Sequence, residues 1–128
     1  GVCFLVGCRG SADRPELGQV TGTVYLDGEP VPFVWVMFNP TGGGRTSMGR
    51  SDENGQYKLM YLDGVEGANI GQHEVAVMMY HEDELEELRV YSDKPINEPI
   101  PPRYNSETTL AEMVVAGPNV IDIHVESE

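Results

Sequence analysis

From residue 19 onward the chain alternates apolar and polar positions with a period of two. Val20, Gly22, Val24 and Leu26 fall on one side and Thr21, Thr23 and Tyr25 on the other, the pattern of a strand with one buried face. Asp27-Gly28 ends this run; a tight hairpin turn needs positive φ, which glycine adopts without steric cost. A second strand is predicted over residues 33–39, stopped by Pro40 and the glycines at 42–44. A third, over 46–50, runs into the turn Asp52-Glu53-Asn54-Gly55, and a fourth follows over 56–62. After a glycine-rich connection over 63–71, a fifth strand over 72–80 sets His73, Val75, Val77 and Met79 on one face. Segments 108–115 and 119–126 predict a closing hairpin around Gly117-Pro118, with Ile121, Ile123 and Val125 inward and Asp122 and His124 outward. Short strands separated by turn signals predict an all-β fold, a seven-stranded antiparallel β-sandwich. Helical periodicity is confined to about one turn near residues 83–88.

The 128 residues suit a single domain, large enough to bury a core without metal or disulfide support. Eight basic residues against 21 acidic ones give a formal charge of −13. Nucleic-acid phosphates require a basic surface, so this balance argues against nucleic acid as a partner. It equally disfavours adsorption to an anionic bilayer by charge alone. No run reaches the roughly 18 apolar residues of a spanning helix. Both cysteines, Cys3 and Cys8, precede the alternating region. Neither a disulfide framework nor a cysteine-based metal site is therefore predicted, and no cofactor is expected.

The first residues, GVCFLVGC, are apolar and give way to the polar stretch RGSADRPELGQ. Such a short apolar run before a polar tether reads as the end of a secretion signal. Leu5-Val6-Gly7-Cys8 resembles the signal of bacterial lipoproteins, which implies cleavage before Cys8 and a lipid on its sulfur. On this reading residues 1–7 are a signal-peptide remnant, 8–18 the anchor cysteine and tether, and 19–128 the folded domain. The expected location is the cell envelope, lipid-anchored to a bacterial membrane and facing periplasm or exterior.

Four stretches carry a second resemblance: VTGTVYLDGEPV at 20–31, VWVMFNP at 34–40, SDENGQYKL at 51–59 and GQHEVAV at 71–77. With PPRYNSETTL and VVAGPNVIDIHV further on, they resemble the carboxypeptidase regulatory-like, transthyretin-like domains of small bacterial lipoproteins. The resemblance implies a seven-stranded sandwich and a non-enzymatic binding or structural role with no assigned ligand. The alternatives are a small hydrolase or metal-dependent enzyme on the same fold, and a carbohydrate-binding module.

Residue chemistry weighs against an enzyme. His81 and Glu84 form an H-x-x-E pair of the kind zinc peptidases use, but alternation leaves His124 no route to His81. Asp52, Asn54 and Gly55 echo part of a calcium loop without the glutamate that would close it, and are better explained as a hairpin turn. The acidic run Glu82–Glu87 reads as a solvated charged segment. The transthyretin-like enzymes that hydrolyse a purine breakdown product end in Tyr-Arg-Gly-Ser, whereas this chain ends in HVESE. Their activity does not carry over.

One surface departs from the simple alternation. With Val34, Val36 and Phe38 inward, Phe33, Trp35 and Met37 face out. Met60 and Leu62 on the fourth strand, and Ala76, Met78 and Tyr80 on the fifth, follow them by the same rule. If these strands share a sheet, they make an apolar patch rich in methionine and aromatics, the composition of adaptable interfaces. Two occupants are expected to compete for it. One is the long segment 82–107, with Leu85, Leu88, Val90, Tyr91, Ile96, Ile100 and Tyr104 as anchors. The other is a partner, either a second copy of the chain, a different protein or a sugar stacked on Trp35 and Tyr80.

Overall fold

The computed structural model describes residues 16–79, 84, 87 and 100–127. The described chain is all-β, arranged as two sheets around one apolar core. The first sheet is organised on β1 (Leu17–Leu26). One edge of β1 takes three antiparallel partners, β8 (Ala68–Asn69), β5 (Gln56–Lys58) and β2 (Glu29–Pro30). The other takes β11 (Gly117–Val120) and β12 (Ile123–Val125), both parallel. The second sheet is antiparallel throughout, in the order β10 (Leu110–Val114), β9 (Gly71–Met78), β3 (Trp35–Pro40), β4 (Ser47–Arg50), β6 (Met60–Leu62) and β7 (Val65–Glu66).

Alternation decides which side chains meet between the sheets. Val20 and Val24 of β1, Val36 and Phe38 of β3, Val75 and Val77 of β9 and Val114 of β10 are buried, together with Val34. Truncating a residue such as Phe38 to alanine would cost about 3–5 kcal/mol. The Asp27-Gly28 turn adopts φ 54° and 87°, joining β1 to β2 as a two-residue hairpin. The turn between β4 and β5 is closed by Gly55 N–H to Asp52 O at 3.0 Å. Asp52 Oδ1 also accepts from the backbone N–H of Asn54 at 2.8 Å and of Gln56 at 3.0 Å. The aspartate is thus consumed in shaping the turn.

The run 56–62 serves both sheets, β5 in the first and β6 in the second. Between them Leu59 is buried, and its N–H donates to Val20 O at 3.0 Å. A Cβ at Gly49 of β4 would lie 2.2 Å from Lys58 O, so only glycine lets β4 approach β5 this closely. The two sheets therefore meet along a seam.

The closing hairpin expected at 108–115 and 119–126 does not form. β10 joins β9 in the second sheet, whereas β11 and β12 join β1 in the first. The physical reason lies in Gly117 and Asn119. Gly117 turns the chain at φ 87°. The Asn119 amide then donates to Val115 O at 2.9 Å, Gly117 O at 3.0 Å and Gln19 O at 2.9 Å, while its Oδ1 accepts from Val115 N–H at 3.0 Å. One side chain thereby satisfies the crossing backbone and fastens it to β1. Among the described residues the sheets are built from twelve ladder segments, and the glycine-rich connection at 63–71 contributes two of them, β7 and β8.

Ile100 and Tyr104, expected as anchors over the outer face, belong to the core instead: Ile100 is buried within it and Tyr104 packs against it. A 3-10 turn over Pro102–Tyr104 follows. The Asn105 amide donates to Val77 O at 3.3 Å and the Thr108 hydroxyl to Val75 O at 2.6 Å. Side chains here occupy β9 carbonyls near the end of the β10 ladder.

Candidate functional site

β3, β4, β6 and β9 share the second sheet, so the outward residues named from the sequence come into register. Trp35 lies opposite Met78 on one side and Arg50 on the other. One row along, Met37 lies between Ala76 and Met48, and Met48 pairs with Met60. The result is a half-buried row of methionine side chains crossing β3, β4 and β6, continued on β9 by Ala76. Leu62 is half-buried at the β6–β7 pairing. Phe33 precedes β3, in the left-handed region at φ 58°, and is 52% exposed. Such a backbone is strained for a bulky residue. Tyr80, His81 and Cys8 lie outside the described residues.

Ser51 holds Phe33 in place. The Ser51 hydroxyl donates to Val31 O at 2.8 Å and accepts from Val34 N–H at 3.0 Å. Phe33 N–H donates to Ser51 O at 3.0 Å, and Ser51 N–H to Val34 O at 2.8 Å. Ser51 is buried, so these bonds are shielded from water.

Arg50 ties the cluster together. Its Nε donates to Phe33 O at 3.3 Å, and its guanidinium carbon lies 5.3 Å from the Trp35 ring centroid, within cation–π range. Its Nη2 pairs with Glu84 Oε2 at 3.2 Å, while the Trp35 indole N–H donates to Glu84 Oε1. One carboxylate thus receives a donor on each oxygen. Read as part of a solvated charge run, Glu84 instead seals the edge of the Trp35 ring.

Trp35 and Arg50 also border an open groove of about 870 Å³ over the seam between the sheets. Its lining combines the polar Thr21, Thr23, Gln56 and Lys58 with the apolar Met48 and Met60 and the acidic Asp52 and Asp122. Lys58 pairs with Glu66 at 3.1 Å, and Asp122 accepts from Thr23 N–H at 2.9 Å. Beneath the groove Tyr57 is buried, and its hydroxyl donates to Ile121 O at 2.5 Å. Burial chiefly, then the charges of Glu112 and Asp122, pushes the Tyr57 hydroxyl well above its ordinary pKa. A Cβ at Gly22, directly opposite Tyr57, would lie 2.0 Å from Ile121 O. The bare glycine is what lets residue 121 cross here.

The two described histidines sit apart. His124 is exposed and stacks on Tyr25 of β1 at 4.7 Å. His73 is buried in the second sheet beside Phe38, its Nε2 2.7 Å from Asn69 O. A carbonyl only accepts, so Nε2 carries the proton. Among the described residues no three His, Cys, Asp or Glu side chains converge as metal ligands, and no helix is long and apolar enough to cross a membrane.

Sequence reasoning found Trp35, Met37, Met60 and Met78 but missed Met48, Arg50 and Glu84. Met48 and Arg50 were within reach, since Ser47 and Gly49 are the inward residues of the same strand. Glu84 was not, because no local pattern links it to Trp35. No known family model matches the chain, and no curated protein matches it.

Proposed function

We propose that this chain is a non-enzymatic binding module of the bacterial cell envelope, a transthyretin-like, carboxypeptidase regulatory-like sandwich tethered to a membrane through lipid on Cys8. The observation that carries the binding role is the outer face of the second sheet. Trp35, Met37, Met48, Met60 and Met78 stand there in cross-strand register beside an open groove. Large apolar side chains gathered on an outward face mark interaction surfaces. Methionine's flexible thioether suits an adaptable contact.

Two experiments test the reading. The full-length chain, immobilised and exposed to envelope extract, is expected to retain a component that the folded Met37→Glu/Met60→Glu variant does not. Equal retention by both would remove the face from consideration. Expression of the precursor in a bacterium is expected to yield a lipid-sized mass increase on Cys8; a soluble, unmodified product would refute the anchor while leaving the binding face standing.

A further inference from the structure

Resting on the reading of this groove as a binding site, we infer that its ligand is a sugar bearing a carboxylate, and that Glu84 occupies the carboxylate's place in the free protein. The receptor is visible in the contacts of Glu84. Trp35 Nε1–H donates to Oε1 and the Arg50 guanidinium pairs with Oε2 at 3.2 Å. Two donors aimed at different oxygens of one carboxylate form a charge-assisted, geometrically selective pocket for that group. Trp35 and Arg50 are cross-strand partners in the β3–β4 ladder, so the pocket is fixed by the sheet. Glu84 belongs to neither sheet. A ligand carboxylate can therefore replace it without moving a strand.

The groove that begins at Trp35 and Arg50 specifies the rest of the ligand. Thr21, Thr23 and Gln56 carry groups that both donate and accept, as sugar hydroxyls do. Met48 and Met60 offer an apolar strip to the C–H face of a ring. One recurring mode of peptide recognition adds the peptide backbone to a free strand edge. Here the groove lies over β1, β5 and β4, and β1 and β5 already pair with each other beneath it. It offers side chains, and side-chain recognition of hydroxyls fits a glycan. The net charge of −13 repels polyanions at long range. The ligand that fits is a short, otherwise neutral glycan with a single uronate.

Trp35 is the chain's sole tryptophan, so its fluorescence reports on the pocket directly. The test titrates cellobiouronic acid, and cellobiose as its neutral counterpart, into the full chain and into Glu84→Ala. Wild type should bind the acid weakly. Glu84→Ala, with its internal competitor removed, should bind it about tenfold or more tightly. Cellobiose should gain nothing from the substitution. Adding Arg50→Ala to the Glu84→Ala variant should abolish acid binding, with circular dichroism verifying the fold. Equal affinity for acid and neutral sugar, no gain in Glu84→Ala, or tighter binding of the peptide Gly-Glu-Gly would each overturn the inference. If no sugar binds while the face still retains an envelope component, the ligand assignment fails alone; if neither binds, the binding role falls with it.

Discussion

Arg50 stands directly opposite Trp35 on the neighbouring strand and lays its guanidinium 5.3 Å from the indole centroid. It bonds Phe33 O and the Glu84 carboxylate as well, so one exposed cation orders three other residues. Partial exposure limits what each contact is worth. Arg50→Ala is expected to lower stability by about 1 kcal/mol. The larger effect should be local, with a red-shifted Trp35 emission as water reaches the ring. Arg50→Lys keeps the charge but loses the planar stack and the Nε bond, and should show most of the spectral change. Chemical denaturation followed by Trp35 fluorescence measures both; an unshifted emission in Arg50→Ala would show that the guanidinium does not cover the ring.

Ser51 restrains the strained Phe33 through the loop around it. Ser51→Ala keeps the backbone bonds but deletes the hydroxyl that serves Val31 O and Val34 N–H. Val34 is fully buried, so its N–H would lose a partner that water cannot readily replace. Such a loss costs about 1–3 kcal/mol. The denaturation midpoint should fall accordingly, and amide exchange should quicken at Val34 more than at Val77.

How far the fold was legible follows from which forces are local. Turn residues and alternation declare themselves in sequence, so the Asp27-Gly28 hairpin and the inward set Val34, Val36 and Phe38 could be read directly. The destination of β11 and β12 could not. It depends on Asn119 reaching Gln19, a contact across 100 positions that leaves no periodic trace. The site divides along the same line. Alternation supplies Trp35, Met37 and Met60, while the Arg50–Glu84 pair depends on where a distant segment returns.

Tyr57 gives the protein an alkaline limit. Its folded pKa is raised, chiefly by burial, above an unfolded value of 10.0. Below that value both states keep the proton and the stabilisation is intact. As pH rises past about 10 the unfolded chain loses the proton first, and stability falls until the folded-state group also ionises. Tyr57→Phe removes both the titration and the bond to Ile121 O. At neutral pH it should cost about 1 kcal/mol, and above about pH 10 its stability should decline less steeply than that of wild type. Parallel slopes across that range would show that another group sets the limit.

Gly22 is the position where the smallest change should do the most damage. It faces the interior beside Val20 and Val24, where alternation alone would favour a larger apolar residue. An added methyl would stand 2.0 Å from Ile121 O and 3.0 Å from a Tyr57 ring carbon. The carbonyl is backbone, held by the flanking pairing of β11 and β12 with β1, and cannot turn aside as a side-chain tip would. Relief requires the crossing at residue 121 to lift away, which also breaks the Tyr57–Ile121 bond and opens the floor of the groove. Gly22→Ala is therefore expected to lose about 3 kcal/mol, the upper end of the usual cost of core overpacking. Gly28→Ala serves as the control: its φ of 87° imposes strain, but an added Cβ meets nothing within 4 Å. That substitution should cost about 1 kcal/mol. Thermal unfolding of the two variants side by side should rank Gly22→Ala far below Gly28→Ala, and the opposite order would mean that residue 121 does not cross β1 at Gly22.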